Sequence, residues 1–204
     1  MSSTRVMGTG SSMGQAVGTA AAMAARLGCE ARELLPRVRE LQQELLRDDC
    51  YIPWMALGVP ALTRGASLAA SQGDPEPLRD GVHRPVGADG HCWVHREGDR
   101  VEYSFPAPAQ VSQVTLVLDS GLGLQVQMSF FQPDDQITVP PPVLPRAFRV
   151  EAKIGGEWQT LHRVRDNHQR LVRLPMGKPA EGVRYTLDAT WGAPESKLFA
   201  FYVE

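Results

Sequence analysis

The stretch Val101-Glu102-Tyr103-Ser104-Phe105 alternates large apolar side chains with polar ones. Successive side chains of a β-strand point to opposite faces, so this alternation predicts a strand with one buried and one solvated face. Leu124, Val126, Met128 and Phe130 alternate in the same way with polar neighbours. We therefore expect antiparallel strands here, each contributing one face to a hydrophobic core.

Further short apolar runs, separated by turn-forming residues, continue this pattern towards the C-terminus. They predict strands at 112–118, 147–154, 157–164, 170–174, 183–189 and 197–203. No strand–helix–strand rhythm accompanies them, which argues against a parallel sheet. About eight short strands over residues 66–204 predict an antiparallel β-sandwich of the jelly-roll type.

The N-terminal part of the chain has the character of helices instead. The first helix is predicted to start near Ser12, with Ser11 or Ser12 as its N-cap, and to end before Gly28. The second is predicted to start at Pro36 and to bury an apolar stripe at helical spacing. This stripe consists of Val38, Leu41, Leu45 and Leu46.

These segments define an α+β chain. A helical segment at residues 1–50 is followed by a linker at 51–65, which contains two prolines, and by the sandwich at 66–204. Two short helices, the first of them nearly all alanine and glycine, bury too little apolar area to offset their own chain entropy. We therefore expect them to pack on the β region, on another chain or on a missing part of a larger protein.

The charge balance excludes several function classes. Lys and Arg number 21 against 23 Asp and Glu, a net charge of −2. This argues against a nucleic-acid binder that works by bulk charge and against a polybasic membrane-surface protein. The apolar run Ala20 to Ala25 is far shorter than the ~20 residues of a membrane span. Three cysteines without CxxC spacing fit a reducing compartment, and we expect a cytoplasmic protein.

The strongest local motif is the glycine-rich segment Gly8–Gln15, where a predicted turn runs into a helix N-terminus. Unpaired amides and the helix dipole at such a place suit a phosphate, a carboxylate or the electron-rich edge of a flavin. The spacing is GxGxxxG, and no βαβ unit follows, so the segment is not a dinucleotide fingerprint. A glycine-rich helix start that serves only close packing remains the alternative on residue types alone.

The longer segment Arg5–Ala22, which reads RVMGTGSSMGQAVGTAAA, resembles the C-terminal flavin-contacting segment of the FAD-dependent oxidoreductase family. The resemblance continues through Glu40-Leu41-Gln42 and Leu45-Leu46 to Tyr51-Ile52-Pro53. In that family, the helix N-terminus abuts the isoalloxazine ring near N1 and the C2 carbonyl. The resemblance therefore implies FAD as cofactor and a set of flavin contacts. These are Gly8, Thr9, Gly10, Ser11, Ser12, Met13, Gly14 and Gln15.

This sequence departs from the family in one respect. The family places its nucleotide-binding βαβ unit, with GxGxxG, far upstream of the matching segment, and the present sequence contains no GxGxxG. We therefore expect the C-terminal portion or a separate small subunit of such an enzyme, inactive alone. A flavoprotein chain would supply the GxGxxG domain and share the FAD, and the assembled enzyme would act on a small organic substrate. The sequence identifies no catalytic residue.

A second resemblance covers about residues 62–204. Arg64-Gly65-Ala66-Ser67, then Leu78-Arg79-Asp80-Gly81 and Trp93, are similar to the opening of discoidin-like (coagulation factor 5/8 type C) domains. Some FAD-dependent oxidoreductases carry such a C-terminal sandwich. They show segments similar to 80–85 (DGVHRP), 167–170 (NHQR) and 191–194 (WGAP).

The discoidin resemblance implies an alternative function, because such domains often bind glycans or lipids through loops at one end. The chain would then be a non-catalytic carbohydrate-binding or protein-interaction module. A truncated gene product without a function of its own is the third possibility.

The remaining polar and aromatic residues suggest no further site. If the chain is extended at His91 and His95, the two lie ~13 Å apart, too far to share a metal ion. The tryptophans are predicted to be core or seam residues, and Trp54 to pack the helices onto the sandwich. These are Trp54, Trp93, Trp158 and Trp191.

Overall fold

The computed structural model describes residues 7–123 and 139–204. The chain divides into two compact units, Met1–Gly58 and Val59–Glu204. The first is helical and the second is an antiparallel sheet, which confirms the predicted α+β class. The strand predicted around 124–130 lies outside the described residues.

The first helix of the N-terminal unit starts earlier than its sequence suggests. Helix α1 spans Met7–Leu27, so the prediction of a start near Ser12 is wrong. The Ser12 hydroxyl donates a hydrogen bond to the Gly8 carbonyl at 3.2 Å, which places it inside the helix and not at its cap. The predicted end is confirmed, because Gly28 adopts a left-handed φ of +62° there.

The second helical stretch begins with a 3₁₀ turn. This turn spans Ala31–Arg37 and contains Pro36, and helix α2 follows at Val38–Arg47. The predicted start at Pro36 is therefore two residues early. Of the predicted stripe, Leu45 and Leu46 are buried, whereas Val38 is exposed.

The core of the N-terminal unit is small. Met23 and Ala24 of α1 pack with Leu34, and partly buried side chains surround this cluster. The latter are Ala20, Cys29 and Leu41. The other buried apolar side chains in the described part of this unit are Leu45, Leu46 and Leu57, so the unit gains limited hydrophobic stabilisation of its own.

The C-terminal unit contains one short helix and seven described strands. Helix α3 spans Ala61–Gly65, and a 3₁₀ turn spans Glu76–Arg79. The strands are β1 (Ser67–Ala70), β2 (Trp93–His95), β3 (Arg100–Leu118), β4 (Pro145–Ile154), β5 (Glu157–Val164), β6 (Leu171–Thr190) and β7 (Ser196–Val203).

All described strand pairs are antiparallel, in the order β2-β7-β3-β6-β4-β5, with β1 also paired to β3. Strands β3 and β6 are 19 and 20 residues long, so the strands predicted at 170–174 and 183–189 are two ends of one strand. The pairing of β3 with β6 shifts register between Ser104 and Ala109, where the ladder bends. One end of this ladder pairs with β1 and β4, and the other end pairs with β7.

The two ends of the bent ladder face each other across the core. Tyr103 pairs with Val183, and Phe201 pairs with Leu116, so the two aromatic residues are not ladder partners. Their ring centroids nevertheless lie 4.9 Å apart, and the Tyr103 hydroxyl donates to the Phe201 carbonyl at 2.9 Å. The sheet therefore folds over itself as a sandwich.

Helix α3 is tied to the last strand through one buried side chain. The Thr63 hydroxyl donates to the Val203 carbonyl at 2.8 Å and accepts from the Val203 amide at 2.7 Å. The segment predicted as a linker, 51–65, is thus divided between the two units. Its residues up to Gly58 belong to the helical unit, and those from Val59 onwards belong to the sandwich unit.

Candidate functional site

The segment predicted to contact flavin lies on the first two turns of α1. All eight of its residues, Gly8 to Gln15, are exposed. Helix α1 already runs from Met7, so the amides at the end of this segment have acceptors in the preceding turn. The amides of Ser12 to Gln15 lie inside the helix, so the expected free amides there are not found.

The glycines of α1 are not explained by packing within this unit. A Cβ atom built on Gly8, Gly10, Gly14 or Gly18 would meet nothing within 4 Å. Glycine in a helix interior costs ~1 kcal/mol relative to alanine, yet no neighbour in the described chain requires the missing side chains. Met13 and Val17, on the same helix, are also exposed.

This arrangement fits one side of a flavin site. The glycines leave room for a flat ring against the helix, and the positive end of the helix dipole lies at this end of α1. The 204-residue sequence has no GxGxxG segment for the nucleotide phosphates. The described residues thus fit the ring and not the whole dinucleotide.

The second group of predicted segments lies among the loops of the sandwich. Asn167 is buried and donates from Nδ2 to the Pro145 and Gln169 carbonyls, both at 2.9 Å. The Trp191 indole donates to the Asn167 carbonyl at 2.8 Å. The His168 and Trp191 rings lie 4.9 Å apart. Two of the three resemblance segments therefore meet at Asn167.

The third segment is held by an arginine. One guanidinium nitrogen of Arg170 donates to the Leu118 carbonyl at 2.9 Å and another donates to the His83 carbonyl. The guanidinium also lies 5.0 Å from the centroid of the Phe199 ring. His83 bonds the Tyr202 hydroxyl at 2.9 Å. These contacts tie the loops to the sheet, which is a structural role for the residues that carry the resemblance.

A cavity of about 390 Å³ opens beside these loops. Its apolar walls come from Pro85, Leu122, Pro142, Val143 and Phe199. Two charged residues, Asp119 and Lys197, line it as well. No local sequence pattern marks this cavity, because its walls come from loops and strands far apart in the chain.

The histidines occupy different environments from those expected. His91 has a left-handed φ of +43°, so the extended chain assumed there is wrong. Its Nδ1 lies 2.6 Å from Asp80 and its Nε2 lies 3.7 Å from Asp89. His95 is buried, with Nε2 at 3.2 Å from the Tyr185 hydroxyl, and burial lowers its pKa to about 4.

Within residues 7–123 and 139–204, no three His, Cys, Asp or Glu side chains are grouped to hold a metal ion. In the same ranges no helix has the length and hydropathy to cross a membrane.

The tryptophans divide into two groups. Trp93 is fully buried, and Trp158 and Trp191 are half-buried. Trp54 is 100% exposed with a left-handed φ of +61°, so it belongs to no core, and its packing between helices and sandwich stays a prediction.

Comparisons with known proteins agree with both resemblances. The profile of the family described as FAD dependent oxidoreductase matches residues 1–45. The family 32 carbohydrate-binding module of Streptococcus pneumoniae EndoD is 15% identical, with a TM-score of 0.51 over 70% of this chain and 97% of that one. Chitosan-binding module 2 of the Paenibacillus sp. IK-5 chitosanase/glucanase is 13% identical, with a TM-score of 0.50 over 70% of this chain and 98% of that one. No curated protein matched the sequence.

Both predicted resemblances are therefore confirmed at the level of family and fold. The N-terminal segment is similar to FAD-dependent oxidoreductases over residues 1–45. The C-terminal unit has the discoidin-like β-sandwich fold of family 32 carbohydrate-binding modules.

Proposed function

We propose that the chain is the C-terminal part or a subunit of an FAD-dependent oxidoreductase, in which the helical unit completes the flavin site. The observation that carries this proposal is the start of α1, where glycines with nothing within 4 Å coincide with the family match at residues 1–45. Further polypeptide with a GxGxxG domain would hold the nucleotide. The assembled protein would act on a small organic substrate in the cytoplasm.

The small core of the helical unit supports the same proposal. Seven large apolar side chains are exposed in the described part of this unit, with Leu35 and Val17 at 70% and 69%, and such side chains mark an interaction surface where they form one patch. A domain that covers these side chains and closes over α1 would supply the buried area that the unit lacks.

The first two turns of α1 would make the contacts with the flavin. The positive end of the α1 dipole would stabilise negative charge on the pyrimidine edge of the flavin. Gly10 and Gly14 have no side chains that would hold the ring away, so the ring would lie close to the helix backbone. Ser11, Ser12, Met13 and Gln15 would flank the ring. The bound flavin supplies the hydride or electron transfer.

The test is flavin retention by the chain with and without its partner. The full chain is purified alone, and also by affinity pull-down from its source with mass spectrometry of the captured proteins. We expect no flavin absorbance bands from the chain alone, and flavin together with a GxGxxG-containing polypeptide from the pull-down. Tight flavin binding by the chain alone contradicts the shared site. A complex with such a polypeptide but without flavin contradicts the cofactor.

A matched pair of variants locates the site on α1. Gly14→Leu places a bulky side chain where the ring would lie, and Arg26→Leu adds the same side chain in the last turn of the helix. Both positions are exposed, so neither change should unfold the chain. We expect Gly14→Leu to lose the flavin and Arg26→Leu to keep it. Equal flavin content in the two complexes would rule out a contact at Gly14.

A non-catalytic carbohydrate-binding function is the second candidate. The Paenibacillus module with this fold was solved with chitotriose. Here the half-buried Trp191 ring lies beside His168, and the Arg146 guanidinium lies 5.9 Å from its centroid. An aromatic face next to hydrogen-bond donors suits a sugar ring. A glycan array tests this candidate, with His168→Ala as the variant, because that ring is exposed and its loss should leave the fold intact.

A further inference from the structure

The cavity beside the sandwich loops has two kinds of wall. Prolines, Val143, Leu122 and the Phe199 ring make most of it apolar, whereas Asp119 and Lys197 place one charge of each sign on the same cavity. A volume of about 390 Å³ lies in the range of small-molecule sites, which combine apolar walls with a few polar groups.

Two hydrogen bonds fix the position of Asp119 in the cavity wall. The Asp119 amide donates to the Lys197 carbonyl at 3.0 Å, and its Oδ1 accepts from the Gly121 amide at 2.8 Å. The residue is only 7% exposed. A carboxylate so poorly hydrated is costly unless opposite charge or further donors reach it.

The lysine does not provide that partner. Although Asp119 and Lys197 line one cavity and their backbones are bonded, no ion pair joins their side chains in the described chain. Oδ2 of Asp119 and the Lys197 ammonium also bond no other described residue. A neighbouring acid and base that do not pair leave both charges available to a molecule in the cavity.

We propose that this cavity binds a small zwitterion with an apolar body, of the kind represented by an apolar α-amino acid. The ammonium group of the ligand bonds the buried Asp119 carboxylate, and its carboxylate meets the more exposed Lys197 ammonium. The apolar side chain packs on Pro142, Val143 and Phe199. This site is separate from the flavin-contacting helix and does not depend on the proposed function.

The experiment is a calorimetric titration of the full chain with leucine and phenylalanine. Three probes each lack one feature: 4-methylpentanoate has no amine, 3-methylbutylamine has no carboxylate, and glycine has no apolar body. We expect leucine or phenylalanine to bind about tenfold more tightly than each of these, because each loses one charge-assisted or apolar contact. Equal affinity for all probes would overturn the proposal.

Two variants assign the charges. Asp119→Asn keeps an oxygen for the Gly121 amide and removes the charge, and Lys197→Gln removes the opposite charge on an exposed side chain. Each should weaken leucine binding about tenfold, and each should abolish the preference for leucine over the probe that lacks its partner group.

Matched controls separate charge from folding. Asp74 also accepts a hydrogen bond at Oδ1 from the amide two residues on, at 3.0 Å, so Asp74→Asn is the control for Asp119→Asn. Lys178→Gln is the control for Lys197→Gln, because this exposed lysine lies on β6 outside the cavity. Unchanged leucine binding in both cavity variants would overturn the assignment. Binding of chitotriose without any binding of leucine would overturn it in favour of a sugar.

Discussion

The helical and sandwich units bury their apolar side chains to very different extents. Seven large apolar side chains are exposed in the helical unit, although it is the smaller of the two. They are Met13, Val17, Leu27, Leu35, Val38, Tyr51 and Trp54. In the described part of the sandwich unit there are four, namely Val86, Val94, Leu122 and Val139.

The sandwich buries its large side chains, whereas the helical unit leaves many of its own exposed. Trp93, Tyr103 and Phe148 are among the fully buried aromatic residues of the sandwich. The buried apolar side chains in the described part of the helical unit are Met23, Ala24, Leu34, Leu45, Leu46 and Leu57. Stability in the sandwich is therefore intrinsic. Stability in the helices depends on what covers them.

The largest effect is expected from the centre of the sandwich. Phe201→Ala removes a fully buried ring that contacts Tyr103, and we expect it to lower the free energy of unfolding by about 3–5 kcal/mol. Urea unfolding followed by tryptophan fluorescence measures this change. Val17→Ala in α1 is the counterpart and should change stability by less than about 0.5 kcal/mol, since that side chain is exposed. Similar losses in both variants would break the comparison.

A pH dependence should come next in size, and it also belongs to the sandwich. His95 is buried against Tyr185 and stacked on Trp93, and burial lowers its pKa from 6.5 to about 4. Folding thus favours the neutral ring, so the stabilisation is present above pH 6.5 and is lost as the pH falls from 6.5 towards 4. The loss should reach about 3 kcal/mol.

Urea midpoints across this pH range test the assignment. His95→Phe, which cannot be protonated, should flatten the pH dependence, while His168→Phe on an exposed loop should leave it unchanged. An unaltered dependence in His95→Phe would show that another group titrates.

The attachment of α3 gives a smaller effect. Thr63→Val keeps the shape of the side chain but removes both hydrogen bonds to the Val203 backbone, and leaves a buried amide and carbonyl without that partner. We expect a loss of about 1–3 kcal/mol in thermal or urea unfolding. Thr160→Val, at an exposed position of β5, should have little effect, because it removes one long hydrogen bond of 3.5 Å to Glu151 and leaves no backbone group unpaired. Equal stability of the two variants would contradict the anchoring role.

The smallest effect has the opposite sign and belongs to the helical unit. Gly14 has nothing within 4 Å of a built Cβ, so Gly14→Ala should stabilise α1 in the isolated chain by up to about 1 kcal/mol. Circular dichroism of the chain alone should show that the Gly14→Ala variant retains more helix on heating than the unsubstituted chain does. A loss of helix content would mean that a neighbour already occupies that space.

The sequence predicted the sandwich well because alternation of side chains reports directly on a half-buried strand. The strand predicted at 157–164 agrees with β5, and those at 147–154 and 197–203 agree within two residues at each end. The long strand β6 was split in two because Pro175, Gly177 and Pro179 resemble turn residues. In the fold they sit where the ladder bends.

The helical unit was harder to predict, and for a physical reason. Ser11, Ser12 and the glycines of α1 favour a cap, but the hydroxyl of Ser12 bonds within the helix. The packing of Trp54 is predicted from its place in the linker, and exposure of 100% shows only that it belongs to no core. The placement of Asp119 and Lys197 at one cavity depends on tertiary structure and has no local signal.

Hydrogen exchange of the α1 amides tests whether this helix completes a shared flavin site. The exchange is read by mass spectrometry in the chain alone and in its flavin-loaded complex. Exchange reports local stability segment by segment. The account predicts rapid exchange at Gly8–Gln15 and slow exchange in β3 for the chain alone. In the complex, strong protection should appear at Gly8–Gln15 while β3 is unchanged. Protection of α1 equal to that of β3 in the chain alone, or exchange at Gly8–Gln15 that the complex does not alter, would contradict it.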